Sequence, residues 1–465
     1  MSDYELPENR LSTTDESGDR VYIHPHDVKG KWTNLRKKIY WGLILFYLIV
    51  PWIVINGQQI IKLDLPKREF YIFGATFYGH DGPFLIFVLF GFLFLISYIT
   101  SIWGRVWCGY ACPQTVFIDT IYRFIERKVE GSGPKRDKLE RSPWNSEKIF
   151  KRGLKWFLYT VASMHIVHSG IGYFVGTHEL LHITMKSPTS NMYLFILMLS
   201  LTLIILIDFG WFREQFCIIA CPYGRFQSLV MDESSLIVAY DTKRGEPRKR
   251  TKGVAVDDIG DCVNCNRCVN VCPTGIDIRD GLQMECIACT MCIDACDEIM
   301  LKVNKPEGLI RYTTENELHG KKNKKGPRVY IYLALFILTC MTLLFSLENR
   351  EHLKAQILRG SNSPYQEIKS ESKILNHFKV RVRYMNSNAL ELQMKIVNSD
   401  FELISPDEEF EIVNENKLLT FFVKFDSNLL KEGRVKTNLI FIDMKTGKEV
   451  IHKELSLVGP INDNP

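Results

Sequence analysis

A chain of 465 residues has room for about three domains, and its averages (46% hydrophobic, 24% charged, net charge +5) look like those of a soluble protein. Those means conceal five apolar runs, each long enough to cross a bilayer, alternating with strongly basic connections, so a single soluble globule is excluded. Thirteen cysteines, twelve of them between residues 108 and 296, exclude a small disulfide-stapled module in a chain of this length, and their spacings read as metal ligands.

The runs are 39–56, 83–102, 154–174, 191–209 and 329–347, each near the 20 residues that cross ~30 Å of hydrocarbon. All eight tryptophans lie between Trp32 and Trp211, most of them near run ends, where indole rings anchor at the headgroup level. Segments 1–38, 103–153 and 210–327 carry 7, 11 and 17 Lys and Arg, against 3 in 57–82 and 1 in 175–190, which puts the first set in the cytoplasm. The expected domains are a cytoplasmic segment 1–38, four transmembrane helices within 39–209, a cytoplasmic segment 210–327, a fifth helix at 328–347 and an external tail 348–465. Lys37 and Lys38 ahead of the first run, with no cleavable signal pattern, make that run a retained anchor.

Past the second run stand Trp107, Cys108, Cys112 and Pro113; past the fourth stand Phe216, Cys217, Cys221 and Pro222. Both are C-x3-C-P motifs at the cytoplasmic face, an internal repeat. At i and i+4 each pair is expected to share a helix face and offer two sulfurs to one soft ion, four between them. Three readings stay open: buried packing cysteines, a redox-active or copper-binding thiol site, and a further iron–sulfur centre.

Between these motifs, His165 and His168 lie in the third run, and His178, Glu179 and His182 match the H-E-x-x-H string of zinc proteases. The outer connection is too short for a protease cleft, so the match reads as accidental as far as proteolysis goes. For the intramembrane pair, a buried hydrogen-bonded role and a quinone or metal contact are both open.

The densest signal lies between the fourth and fifth runs: Cys262-x2-Cys265-x2-Cys268-x3-Cys272-Pro273, then Cys286-x2-Cys289-x2-Cys292-x3-Cys296. Two residues between thiolates let one loop wrap three sulfurs around a cubane corner, and the fourth cysteine of each run reaches the other cluster in two-cluster ferredoxins. The expected ligand sets are Cys262, Cys265, Cys268 and Cys296 for one [4Fe-4S] cluster and Cys286, Cys289, Cys292 and Cys272 for the other, in a ferredoxin domain at about 255–305. A pair of zinc sites needs no such doubled run. Asp297 stands where Pro273 follows the first run, and a carboxylate there is expected to lower a cluster's potential. The basic stretch from Lys243 to Lys252 suits anionic lipid headgroups better than nucleic acid.

The tail alternates apolar and polar residues at 378–384, 390–396, 419–425 and 439–444, separated by turn residues, which predicts an immunoglobulin-like sandwich without cysteine or tryptophan.

The whole chain resembles the cytochrome c oxidase accessory family called CcoG, FixG or RdxA. The residues that carry the resemblance are Ile55–Gly57, Asp64–Pro66, Ile72–Gly74, Gly104–Thr115, Cys217–Gln227, the eight ferredoxin cysteines and the tail. It implies a membrane α-helical bundle of five transmembrane helices, with an inserted bacterial-type two-[4Fe-4S] ferredoxin domain and a C-terminal immunoglobulin-like β-sandwich. It further implies a bacterial inner-membrane cupric reductase, taking Cu(II) to Cu(I) for assembly of a cbb3-type oxidase. Its site would be Cys108, Cys112, Cys217 and Cys221, with copper as the substrate ion. Implied partners are the bilayer, oxidase assembly factors or a copper transporter or chaperone, and a cytoplasmic electron donor. A quinol-linked relay without copper chemistry and a non-redox assembly scaffold are the alternatives.

Overall fold

The computed structural model describes residues 20–55, 57–78, 82–248, 260–348, 353–359, 365–368, 372–384, 389–413 and 416–460, in two compact units, 1–344 and 345–465. Lys249, Arg250 and Lys252 of the basic stretch, and residues 255–259 of the expected ferredoxin domain, lie outside them.

Among the described residues three helices are long and apolar enough to cross a membrane: Phe84–Trp103, Pro188–Phe212 and Pro327–Glu348. They carry the second, fourth and fifth runs. The expectation of one helix over 39–56 is corrected: the helix spans Lys31–Ile49, then tightens into a 3-10 turn at Val50–Trp52 and a short strand at Val54–Ile55. Pro51 has no N–H to continue the ladder, which ends the helix there. The third run lies inside a 30-residue helix, Ser146–Val175, whose opening turns carry Lys148, Lys151, Arg152 and Lys155. By length and apolarity, three of the five runs therefore meet the requirement for crossing.

In the connection 57–82, strands Ile61–Asp64, Glu69–Ile72 and Ala75–Tyr78 form an antiparallel sheet. The helices pack around Tyr40, Ile44, Phe117, Tyr122, Tyr159 and Phe209. Beside them the Glu126 carboxylate is fully buried between Arg213 at 2.6 Å and Arg136 at 2.9 Å, and Arg213 also donates to the Tyr159 hydroxyl at 2.9 Å.

The cysteine-dense insert is bracketed by an antiparallel strand pair, Ile237–Tyr240 with Ile310–Thr313. Between them lie the short helix Arg267–Asn270 and the longer Met291–Lys302.

The second unit is a two-sheet sandwich. One sheet orders Phe401–Ile404, Asn416–Asp426, Lys373–Tyr384 and Leu353–Arg359, with Gln366–Ile368 also on Lys373–Tyr384; the other orders Glu409–Ile412, Leu390–Ile396, Arg434–Asp443 and Glu449–Val458. Alternate residues such as Val380, Val382, Leu392, Phe421, Val423, Leu439 and Phe441 fill the core between the sheets, as the period-two pattern predicts.

Candidate electron-transfer site

Each paired-cysteine motif folds as a corner. Cys108 lies on the short helix Val106–Tyr110, whereas Cys112 is extended (φ −64°, ψ 125°) ahead of Pro113, which opens the helix Pro113–Phe117. In the repeat, Cys217 lies in a π-helical turn, Phe216–Ala220, and Cys221 is extended (φ −72°, ψ 112°) ahead of Pro222, the first residue of Pro222–Val230. Proline disfavours the helical region for the residue before it and suits the first position of a new helix. The expectation that each pair shares one helical face is thereby corrected, since each pair straddles a helix break.

The two corners come together. Burial pushes the Cys108 thiol up to about 12, with Cys112 and Cys221 adding to the effect and a hydrogen bond from Gln227 (Nε2 to Sγ, 3.2 Å) offsetting part of it. Burial likewise pushes up the thiol of Cys217, aided by Cys112, Glu214 and Cys108, and that of Cys112. Burial thus disfavours a free thiolate at these cysteines, a cost that binding of a soft cation offsets.

In the insert, the expected sets gather at two cavities. One is edged by Cys262, Cys265, Cys268 and Cys296; the other by Cys272, Cys286, Cys289 and Cys292, with Cys268 also lining it. The two C-x2-C-x2-C loops repeat one backbone form, with left-handed residues at Asn264 and Asn266 in the first and at Ala288 and Thr290 in the second. Asparagine tolerates that conformation; for Ala288 and Thr290 it costs about 1–2 kcal/mol each. Burial pushes the thiols of Cys268, Cys286 and Cys296 up to about 12. Among the described residues no three His, Cys, Asp or Glu side chains converge as around a single ion. Four cysteines lining one space, three from a C-x2-C-x2-C loop and the fourth from the other run, fit the ligand set of an iron–sulfur cluster.

The paired-cysteine corner and the second cavity are in direct contact. Cys108 and Cys217 pack against Val28, Val271, Ile287, Cys289, Met291 and Ala295. A Cβ added at Gly109 would stand 2.6 Å from the Ala288 carbonyl oxygen and 3.0 Å from that of Ile287, so glycine permits this backbone approach. Arg105 donates to the Met284 and Cys286 carbonyls, the latter at 2.9 Å, and Arg36 to the Cys289 carbonyl at 2.8 Å. The Tyr110 and Thr290 hydroxyls lie 3.2 Å apart, and Tyr40 donates to the Gly109 carbonyl at 2.5 Å. Sequence reasoning missed Arg36, Arg105 and Gly109 as site residues. Only the C-x3-C-P frame around Arg105 and Gly109 hinted at them.

The histidines stand apart from this centre. His168 Nε2 is 3.3 Å from the Thr184 hydroxyl, and His178, on the helix Thr177–Thr184, meets the Trp52 ring edge-on at 5.8 Å.

Three family models match the chain: a 4Fe-4S dicluster domain over 212–315, a 4Fe-4S binding domain over 83–131, and the IG-like fold at the C-terminus of FixG over 343–460. Protein RdxA of Cereibacter sphaeroides is 33% identical over 82% of this chain and 83% of its own length. Protein RdxB of the same organism is 36% identical over 82% of each chain, and the nitrogen fixation protein FixG of Rhizobium meliloti is 34% identical over 79% of this chain and 77% of its own. With apolar helices long enough to span a bilayer, an iron–sulfur insert and the matching C-terminal sandwich, the chain belongs to the FixG/RdxA family of membrane iron–sulfur electron-transfer proteins.

Proposed function

We propose that this protein is a cupric reductase of a bacterial inner membrane, supplying Cu(I) for assembly of a cbb3-type oxidase. The observation that carries the reading is the contact of the Cys108/Cys217 corner with the Cys286–Cys292 loop through Gly109 and Ala288. Two neighbouring paired-thiol corners, whose soft sulfurs suit Cu(I), thus abut a ferredoxin insert. Cys262, Cys265, Cys268 and Cys296 hold one [4Fe-4S] cluster, and Cys272, Cys286, Cys289 and Cys292 hold the other. Bound clusters supply one-electron chemistry. The reaction adds one electron, drawn from a cytoplasmic donor by way of the insert, to Cu(II) at Cys108, Cys112, Cys217 and Cys221.

The membrane arrangement we propose has five crossings, with the insert cytoplasmic and the sandwich periplasmic. The first and third runs support it by the large apolar side chains they leave exposed. On Ser146–Val175 the polar Tyr159 and Ser163 are buried while Phe157, Val161 and Met164 are exposed, and on Lys31–Ile49 Tyr40 is buried while Trp41, Leu45 and Phe46 are exposed. Lipid accepts such a surface and water does not.

The test is anaerobic reduction of the purified, iron-loaded protein, then addition of one equivalent of Cu(II) with a Cu(I)-specific chelator. Cu(I) formation as the clusters reoxidise, lost in the Cys108→Ser/Cys112→Ser variant, is the expected result. Clusters that stay reduced beside Cu(II) overturn it.

A second reading is favoured by one observation: the 4Fe-4S binding domain match spans 83–131 and so covers Cys108 and Cys112. On that reading the four paired cysteines hold a third cluster, and iron content in excess of two cubanes identifies it.

A further inference from the structure

Burying an iron–sulfur cluster without nearby cations disfavours its reduced, more negative state. The two cavities differ in this respect. Cys265 of the outer cavity is exposed to solvent, whereas no cysteine of the inner cavity (Cys272, Cys286, Cys289, Cys292) is. Something must offset that cost if an electron is to reach the inner position.

Two buried guanidinium groups reach the inner loop. Arg36 is shared: its Nη2 is 3.1 Å from the Asp119 carboxylate, which neutralises much of its charge. Arg105 differs. It is buried, its Nη1 donates to the Met284 and Cys286 carbonyls, its Nη2 lies 3.8 Å from the Met284 sulfur, its Nε finds no partner, and among the described residues it makes no ion pair. Its charge acts on the thiols of both Cys286 and Cys108, in the direction that favours the negative form at each. At the outer cavity, Arg279 is paired with Asp277, Arg267 lies in a solvent-exposed setting where its charge is screened, and Asp297 beside Cys296 adds negative charge.

We propose that Arg105 is the positioning residue that holds up the reduction potential of the inner cluster, by placing one uncompensated buried positive charge between that cluster and the paired-cysteine corner. This rests on the reading that the inner four cysteines hold a cluster. The charge is worth far more here than at the surface, because little solvent screens it. It also makes the inner position, the one touching Cys108 and Cys217, accessible to an electron entering at the exposed Cys265 edge.

The experiment is a potentiometric titration of the full-length, iron-loaded protein in detergent, followed by electron paramagnetic resonance, for the unaltered chain, R105Q and R105K. D297N assigns the signals by moving the outer couple upward. The expected result is a negative shift of the inner couple in R105Q with the outer couple unmoved, and a much smaller shift in R105K, which keeps the charge. Equal inner shifts in R105Q and R105K, unmoved couples at full iron content, or loss of iron from both variants overturn the proposal. Failure of the underlying reading looks different: the unaltered chain itself then shows one cluster signal or none.

Discussion

The Asp294 carboxylate accepts hydrogen bonds from the Thr33 amide at 2.7 Å and hydroxyl at 2.6 Å, and from the Trp32 amide at 3.2 Å. A residue of the ferredoxin helix Met291–Lys302 thus caps the first turn of the helix Lys31–Ile49. The cap has a sequence cause on both sides: Gly30 leaves room where any Cβ would collide with Asp294, and the orphan amides of a first turn attract a carboxylate. Replacing Asp294 by Ala is expected to cost about 1–2 kcal/mol. Limited proteolysis between the insert and the first helix should show earlier cleavage, and a digestion pattern like that of the unaltered chain would count against the cap.

Gly109→Ala places a methyl group 2.6 Å from the Ala288 carbonyl oxygen, a backbone atom that cannot rotate away. The variant should fold with a penalty of about 1–3 kcal/mol and a widened junction. Both clusters should assemble while Cu(I) production in the chelator assay slows. Undiminished production would show that this approach is not part of the route.

Burial pushes the Glu126 carboxyl up, but Arg213 and Arg136 outweigh it and hold it well below the usual carboxylate range. The folded value lies below the unfolded one, so the stability it contributes is present above about pH 4.5 and is lost as pH falls towards the folded value. Glu126→Gln removes the charge and strands two buried guanidinium groups, a loss of roughly 3–5 kcal/mol. Thermal unfolding followed between pH 2 and 7 should show a lower midpoint at neutral pH and, below about pH 4.5, a flatter acid limb than in the unaltered chain.

In the C-terminal unit Phe421 is fully buried and stacks on Phe378 with ring centres 5.6 Å apart, on paired strands in register. Phe421→Ala should destabilise the sandwich by about 3–5 kcal/mol. Iron content should stay unchanged, because the sandwich forms a separate compact unit. Loss of iron on this substitution would contradict that independence.

The sequence alone determined the features that depend on local spacing: the doubled C-x2-C-x2-C-x3-C run, the repeated C-x3-C-P corner, the apolar runs and the period-two strands of the tail. Local periodicity and ligand spacing are properties of neighbours along the chain. Even the helix break inside each C-x3-C-P motif was legible in Pro113 and Pro222, though a simple i, i+4 reading overlooked it. Helix ends were less so: the first run continues as apolar sequence past Pro51, where the backbone turns into strand. Tertiary structure alone decided that Gly109 meets Ala288, that Asp294 caps a helix more than 250 residues earlier, and that Arg105 aims its charge at the Cys286 loop. Each of these joins segments far apart in the chain, where geometry depends on how helices, insert and loops pack, and spacing carries no trace of it.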